Sequence, residues 1–168
     1  MSGCRIAVDV QKTNKIPMGR GFYDEYENVL NYVLKTKGKF DSYVQSEFLS
    51  IDLDKDGGLL NVEVALERNL WKVDLALKVP HEIPIKRLKF SDTRLNISGE
   101  SYLTNEAKDL LLIRFADENH IKTYEIAENL LADVNVVSEL AGIWIINLQD
   151  DYGFKSEMEY RRGAEVTE

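Results

Sequence analysis

The chain repeats its own pattern after 81 residues, and this repeat constrains the fold more than any other feature of the sequence. Residues 25–66 overlay on residues 106–147 without gaps. The identical pairs are Glu25/Glu106, Leu30/Leu111, Tyr43/Tyr124, Glu47/Glu128, Leu49/Leu130, Asp52/Asp133 and Leu59/Leu140. A repeat of this length is too long for a solenoid unit, so it predicts a small domain that is present twice.

Apolar residues keep one register in both copies and favour strands. The apolar pairs include Val29/Leu110, Leu34/Phe115, Phe40/Ile121, Leu53/Val134, Val62/Ile143 and Val64/Ile145. Tyr, Val and Ile are typical of strands, and "LNVEVAL" alternates apolar and polar residues. The sequence therefore predicts a mainly β fold. An α+β fold is the alternative, because residues 107–131 also contain the residue types of a helix.

Two prolines, Pro80 and Pro84, mark the boundary between the copies. We predict one β-meander unit in residues 1–80, a second in residues 85–150, and a frayed, charged C-terminal tail in residues 151–168. Each unit is too small to bury much surface alone, so we expect the two copies to pack as an internal pseudo-dimer within one compact domain.

Three local patterns give further predictions. The segment around Trp144 is apolar on both faces, which predicts that Trp144 is buried near the junction of the copies. The segment "LWKVDLALKV" alternates from Leu70 to Val79 and predicts a strand. The "GRG" at residues 19–21 is interpreted as a loop, because no helix pattern follows it as in a phosphate-binding loop.

Composition excludes several classes of function. The net charge is −8 and the sequence pI about 4.9, which argues against a protein that binds the backbone of nucleic acids. Two short basic clusters are interpreted as solvated faces; they contain Lys35, Lys37 and Lys39, and Lys86, Arg87 and Lys89. No apolar stretch has the length of a signal peptide or a membrane span, so we expect no membrane contact. The single cysteine, Cys4, excludes an internal disulfide and favours the cytoplasm.

The acidic segment "DLDKDGGLLNVE", residues 52–63, matches two different structures. Its carboxylates and glycine stand at the positions of an EF-hand calcium loop: Asp52, Asp54, Asp56, Gly57 and Glu63. The Gly-Gly pair between apolar segments equally predicts a β-hairpin. The residues after Leu60 alternate with period two, where an EF-hand needs a helix, and the second copy lacks the acids. We therefore favour the hairpin and keep calcium binding as the alternative.

Two parts of the first copy carry a further pattern, formed by Tyr23, Asp24, Asn28, Leu30, Tyr32, Leu34, Asp52, Asp54, Gly57, Leu60, Glu63 and Val64. This pattern resembles that of a short bacterial family, domain-of-unknown-function family 2283, and the chain resembles two members in tandem. The second copy keeps Asp133 and Gly142 but has Trp144 where the family has Glu. The resemblance implies a small β-rich module with no established activity, and some members resemble the antitoxin halves of toxin–antitoxin pairs.

The sequence contains no nucleophile elbow, Walker loop or dinucleotide fingerprint. Two histidines and one cysteine are too few for a structural zinc site. The leading hypothesis is a non-catalytic interaction or binding module with no cofactor, whose partner is another protein or a second copy of the chain. The alternative is an enzyme that uses a carboxylate cluster, with the candidates Asp52, Asp54, Glu63, Glu128 and Asp133.

Overall fold

The structure is a computed structural model that describes residues 5–36 and 38–166. Its strands are β1 (Val8–Gln11), β2 (Gly19–Asp24), β3 (Val29–Leu34), β4 (Ser42–Gln45), β5 (Leu49–Leu53), β6 (Leu59–Val64), β7 (Lys72–Val73), β8 (Arg87–Phe90), β9 (Leu95–Asn96), β10 (Ser101–Thr104), β11 (Leu111–Arg114), β12 (Ile121–Ala127), β13 (Leu130–Asn135), β14 (Leu140–Ile145) and β15 (Gln149–Asp151). A 3-10 turn spans Arg68–Leu70, and one helix, α1, spans Lys155–Val166.

The strands form three sheets, so the prediction of a mainly β fold is confirmed. The first sheet has seven strands in the order β15-β2-β3-β6-β5-β4-β9. The second sheet has six, in the order β12-β13-β14-β11-β10-β7, and β1 pairs with β8 in a separate ribbon. Residues 107–131, which had the residue types of a helix, contain β11 and β12 and the start of β13.

Each large sheet contains a five-stranded antiparallel unit with the same strand order, and we call these units the first and the second meander. Neither has the simple meander order that the sequence predicted, because β3 pairs with β6 and β11 pairs with β14. The order is β2-β3-β6-β5-β4 in the first sheet and β10-β11-β14-β13-β12 in the second. The register also agrees, because Leu30 lies opposite Val64 and Leu111 lies opposite Ile145. The pairing of β5 with β6 changes register after Asp52, and the pairing of β13 with β14 changes register after Asp133, which lies 81 residues further along the chain. The two sequence copies thus have the same local fold.

Contacts between the copies are reciprocal. The strand that follows the first meander, β7, pairs in parallel with β10 of the second, while β15, which follows the second meander, pairs in parallel with β2 of the first. In the ribbon, Val8 lies opposite Phe90. The residue 81 positions after Val8 is Lys89, and the residue 81 positions before Phe90 is Asp9. Lys89 and Asp9 also lie opposite each other, so the repeat relates one pair of the ribbon to the next. Each copy therefore adds a strand to the sheet of the other, so strand pairing connects the two sides of the boundary predicted between residues 80 and 85.

The main core takes side chains from both meanders, among them Leu30, Tyr32, Val64, Leu111 and Ile145. A second apolar cluster contains residues of the opposite face of the second sheet and of the segment between the copies, with Leu103, Leu112, Leu131 and Trp144 packed beside Leu77, Val79 and Ile83. Burial of Trp144 was predicted correctly, since it is 6% exposed. Its predicted place at the junction of the copies is wrong, because the inter-copy segment covers it on the outer face of the second sheet.

Three local predictions are also wrong, each because tertiary contacts override the local pattern. Only Lys72–Val73 forms a strand within residues 70–79, since the chain turns at Asp74, whose carboxylate accepts the Ala76 N–H. Residues 19–21 form the start of β2 and not a loop. A Cβ at Gly19 would overlap the Tyr32 hydroxyl, so the glycine allows Tyr32 to reach its acceptor, the Glu128 carbonyl of the second copy.

The third wrong prediction is the frayed C-terminal tail, which contains the ordered helix α1. The buried Asp151 carboxylate accepts the Ser156 and Glu157 N–H groups at the start of this helix. Along the helix, the Glu157 carboxylate accepts the Asn31 side-chain amide and Tyr160 packs against Phe22, both in the first sheet. These contacts dock α1 on the outer face of the first sheet.

Candidate functional site

The acidic segment is the turn between β5 and β6, which confirms the hairpin interpretation. Asp54 Oδ1 accepts the backbone N–H groups of Asp56 and Gly58, both at 2.8 Å. Gly57 has a φ of +82°, and a Cβ there would overlap the Phe90 carbonyl. The segment therefore needs Asp54 and Gly57 for the conformation and packing of its turn.

The second copy repeats this turn with an amide in place of the acid. Asn135 Oδ1 accepts the N–H groups of Val137, at 3.0 Å, and Glu139, at 2.9 Å. These three residues lie 81 positions after Asp54, Asp56 and Gly58. Since an uncharged side chain makes the same bonds, the turn does not require a charge at this position.

The five candidate carboxylates lie in separate places. Asp52 and Glu63 share the outer face of the first sheet, because Asp52 is opposite Asn61 and Glu63 is two residues further on. Asp54 lies in the turn, Glu128 accepts the Gly19 N–H from the turn between β12 and β13, and Asp133 is buried in β13. Among the described residues, no three His, Cys, Asp or Glu side chains are grouped to hold a metal ion. Cys4 lies outside the described residues, and His81 and His120 are exposed.

Asp133 is the buried one of these carboxyl groups, and its surroundings are structural. Its Oδ2 accepts the indole N–H of Trp144 at 3.0 Å, and its Oδ1 accepts the hydroxyl of Thr123 at 2.6 Å. Burial raises the pKa of Asp133, while those two hydrogen bonds and the charge of Arg114 act in the opposite direction. The carboxyl orients Trp144 beneath the inter-copy segment.

A groove of about 730 Å³ is the candidate site. It opens between the two meanders: the ends of β3 and β6 form one side, the turn from β12 to β13 forms another, and β8 and the loop before β2 complete it. We call it the basic groove. Its lining residues are Thr13–Met18, Leu34–Thr36, Asp54, Gly58–Leu60, Lys86–Lys89, Ile126, Ala127 and Leu130. Both copies therefore contribute to one concave surface of the size that binds small molecules.

Five cationic side chains line the basic groove in a chain whose net charge is −8. These five rim cations are Lys15, Lys35, Lys86, Arg87 and Lys89. The lining contains one acid, Asp54, whose Oδ1 accepts bonds from its own turn. No ion pair joins a rim cation to a carboxylate within residues 5–36 and 38–166. Clustered like charges in a concave site repel one another and attract an anion.

The interior of the basic groove is aliphatic. Leu34, Leu59, Leu88, Ile126 and Leu130 carry its apolar lining, and Leu34 and Leu59 pack at the edge of the main core. The lining residues include no Phe, Tyr, Trp or His. The groove thus combines charged groups at its rim with a surface suited to saturated hydrocarbon.

The equivalent end of the second copy is closed. Leu34 and Leu59 are half-buried, but their counterparts Phe115 and Leu140 are 3% and 1% exposed. At that end the N-terminal segment lies alongside, because the Leu140 N–H donates to the Ile6 carbonyl. The apolar surface that Leu34 and Leu59 leave accessible is therefore covered at their counterparts in the second copy.

Sequence reasoning missed this site because it treated the basic clusters separately. Lys35 and the group Lys86, Arg87 and Lys89 were interpreted as solvated faces, whereas the fold brings them to one groove. Lys39 is exposed and is not among the lining residues, and Lys37 lies outside the described residues. The available signal was the concentration of cations in two short segments of an acidic chain.

Comparison with known proteins gave no match to any family model and none to any curated protein. In the part of the chain that the structure describes, no helix has both the length and the apolar character needed to cross a membrane.

Proposed function

We propose that this protein is a non-catalytic binding module that holds an anionic ligand in the basic groove. The observation that carries the proposal is the convergence of the five rim cations, unpaired with any described carboxylate, on a concave site of an acidic chain. An anion there would relieve the mutual repulsion of the cations, which water and counterions otherwise screen.

The internal pseudo-dimer belongs to the same proposal. It is supported by the reciprocal exchange of β7 and β15 and by the ribbon in which Val8/Phe90 and Asp9/Lys89 are related by the repeat. Such contacts are those of an isologous interface, here made within one chain. One consequence is that the two related ends of the fold can differ, one closed around Phe115 and one open as the basic groove.

The non-catalytic part of the proposal is supported by the separation of the candidate carboxyl groups. A catalytic acid or base must lie within hydrogen-bond reach of the reacting group. Asp54 is the acid that lines the basic groove, and its Oδ1 is held by two N–H groups of its turn. Binding of the ligand without its conversion is therefore the function that this arrangement favours.

Titration with inorganic pyrophosphate tests the proposal. In backbone-amide NMR spectra we expect the largest shifts at residues 13–18, 34–36 and 86–89, and we expect phosphorus spectra to show the pyrophosphate unchanged. Arg87→Glu should remove the shifts, whereas Lys122→Glu, which changes an exposed cation outside the groove, should keep them. Shifts of equal size at lysines elsewhere, or none at millimolar pyrophosphate, would contradict the proposal.

A further inference from the structure

We infer that the ligand of the basic groove is an aliphatic chain that carries a single anionic head group, such as a medium-chain alkyl carboxylate or alkyl phosphate. This inference rests on the proposed function and gives it a chemical class. It uses the charged and the aliphatic residues of the lining together. The cations alone would select any anion, and the leucine and isoleucine side chains alone would select any apolar ligand.

The composition of the lining favours a saturated chain over a nucleotide or another aromatic anion. Proteins bind nucleobases by stacking them on aromatic side chains or arginine. The lining has no aromatic residue, and its one arginine, Arg87, is exposed on β8. Half-buried Leu34 and Leu59 instead present branched aliphatic surface beside the main core, to which the adjoining Ile126 belongs.

The positions of the cations indicate how such a ligand would lie. Arg87 and Lys89 lie on β8, Lys86 directly precedes this strand, and Lys15 lies in the loop before β2. Leu88, between Arg87 and Lys89 on this strand, is a buried core residue. We therefore place the head group at the β8 rim and the chain along Leu34, Leu59 and Ile126.

Lys35 is positioned by the helix that was not expected from the sequence. Its Nζ lies 4.3 Å from the centre of the Tyr160 ring of α1, within the range of a cation–π contact. This contact orients the cation without neutralising its charge. Lys35 thus joins the basic groove, which it lines, to helix α1, whose Tyr160 holds its ammonium group.

Calorimetric titration with a homologous series tests the inference. The series is hexanoate, octanoate, decanoate and dodecanoate, each below its micelle concentration, with decanol and decyltrimethylammonium as neutral and cationic controls. Each added methylene that enters the groove should strengthen binding by up to about fourfold. Decanoate should bind at least tenfold more tightly than either control, and decyl phosphate in a parallel titration shows which anionic head binds more tightly.

Variants separate this inference from the proposed function. Leu60→Gln, in the groove wall, should weaken decanoate but not pyrophosphate, while Leu75→Gln, an exposed leucine elsewhere, should change neither. Pyrophosphate binding at the groove without any dependence on chain length would overturn the aliphatic ligand and leave the anion site standing. Failure of every anion to bind would overturn both.

Discussion

Asp54 and Asn135 occupy equivalent positions in the two copies, and each accepts hydrogen bonds from the N–H groups two and four residues further along its turn. This correspondence gives the acid of the first copy a structural role that does not depend on charge. The strand register on either side of both turns agrees as well.

Replacing Asp54 tests this role. Asp54→Ala leaves two backbone N–H groups without their acceptor and should lower the free energy of unfolding by about 1–2 kcal/mol. Asp54→Asn should change it by less than about 0.5 kcal/mol, because Asn135 makes the same bonds. Urea denaturation of both variants is the measurement, and Asp56→Ala, at an exposed residue of the same turn, is the control. Equal losses for Asp54→Ala and Asp54→Asn would contradict the structural role.

Calcium should not stabilise the protein. Asp52 and Glu63 lie on the face of the first sheet, and Asp54 Oδ1 is engaged by the turn, so the carboxylates of residues 52–63 do not form a cage. Thermal unfolding of metal-stripped protein with and without millimolar calcium should give the same Tm. A rise in Tm that is lost in Glu63→Gln would show that the EF-hand interpretation is right.

Trp144 should be one of the most sensitive positions in the second copy. Trp144→Ala empties a buried site beneath the inter-copy segment and should lower the free energy of unfolding by about 3–5 kcal/mol. Trp144→Phe keeps most of the volume but removes the N–H that Asp133 accepts, so we expect a smaller loss of about 1–3 kcal/mol. Chemical denaturation measures both, with Leu75→Ala at an exposed leucine as the control. A loss below about 1 kcal/mol for Trp144→Ala would contradict the packing described for this cluster.

The proposed pseudo-dimer predicts that the copies unfold together. The chain has two tryptophans, and both Trp71 and Trp144 are buried. Each Trp→Phe variant therefore keeps one tryptophan. The fluorescence of Trp144→Phe comes from Trp71, which follows the first meander, and the fluorescence of Trp71→Phe comes from Trp144 in the second meander. Within each variant, the fluorescence transition should coincide with the loss of β-structure measured by circular dichroism. Two separated transitions would mean that the copies are independent.

Asp133 should give stability a characteristic dependence on pH. Because burial raises the pKa of its carboxyl in the folded state, the folded protein binds this proton more tightly than the unfolded chain does. The contribution is present below the ordinary pKa of 3.8 and is lost as the pH rises through the raised value. Relative to wild type, Asp133→Asn should therefore gain stability across this interval.

Denaturation of wild type and Asp133→Asn at a series of pH values measures the difference between their free energies of unfolding. The contributions of the other carboxyl groups are the same in both proteins and drop out of this difference. Parallel curves for wild type and Asp133→Asn would show that the pKa of Asp133 is the same in the folded and unfolded states. Asp52→Asn is the matched control, because Asp52 is the half-exposed counterpart of Asp133 in the first copy.

The fold was largely predictable because its information is local and present twice. Alternation at Leu60–Val64, the Gly57 turn and the repeated apolar register are properties of short segments, and they predicted the strands and the β5–β6 hairpin correctly. The pairing of β3 with β6 is not a property of one segment and was not predicted. The position of Trp144 was not predictable from its strand alone. A strand that is apolar on both faces needs a cover on each, but the pattern does not say that Leu77, Val79 and Ile83 supply the second one.

The basic groove could not be predicted because it exists only after folding. Lys15, Lys35 and Lys89 belong to three distant segments, and their proximity depends on the pairing of β1 with β8 and on the packing of the two meanders. Helix α1 was missed for a similar reason. Half of its residues are charged, and its order depends on the Asp151 cap and on the contact of Tyr160 with Phe22.

A crystal structure of the protein with decanoate tests the central claim most directly. The account predicts a carboxylate within hydrogen-bond distance of Lys86, Arg87 or Lys89, and a chain that runs along Leu34, Leu59 and Ile126 in the basic groove. Decanoate bound at another surface, or an empty groove at a saturating concentration of decanoate, would contradict it.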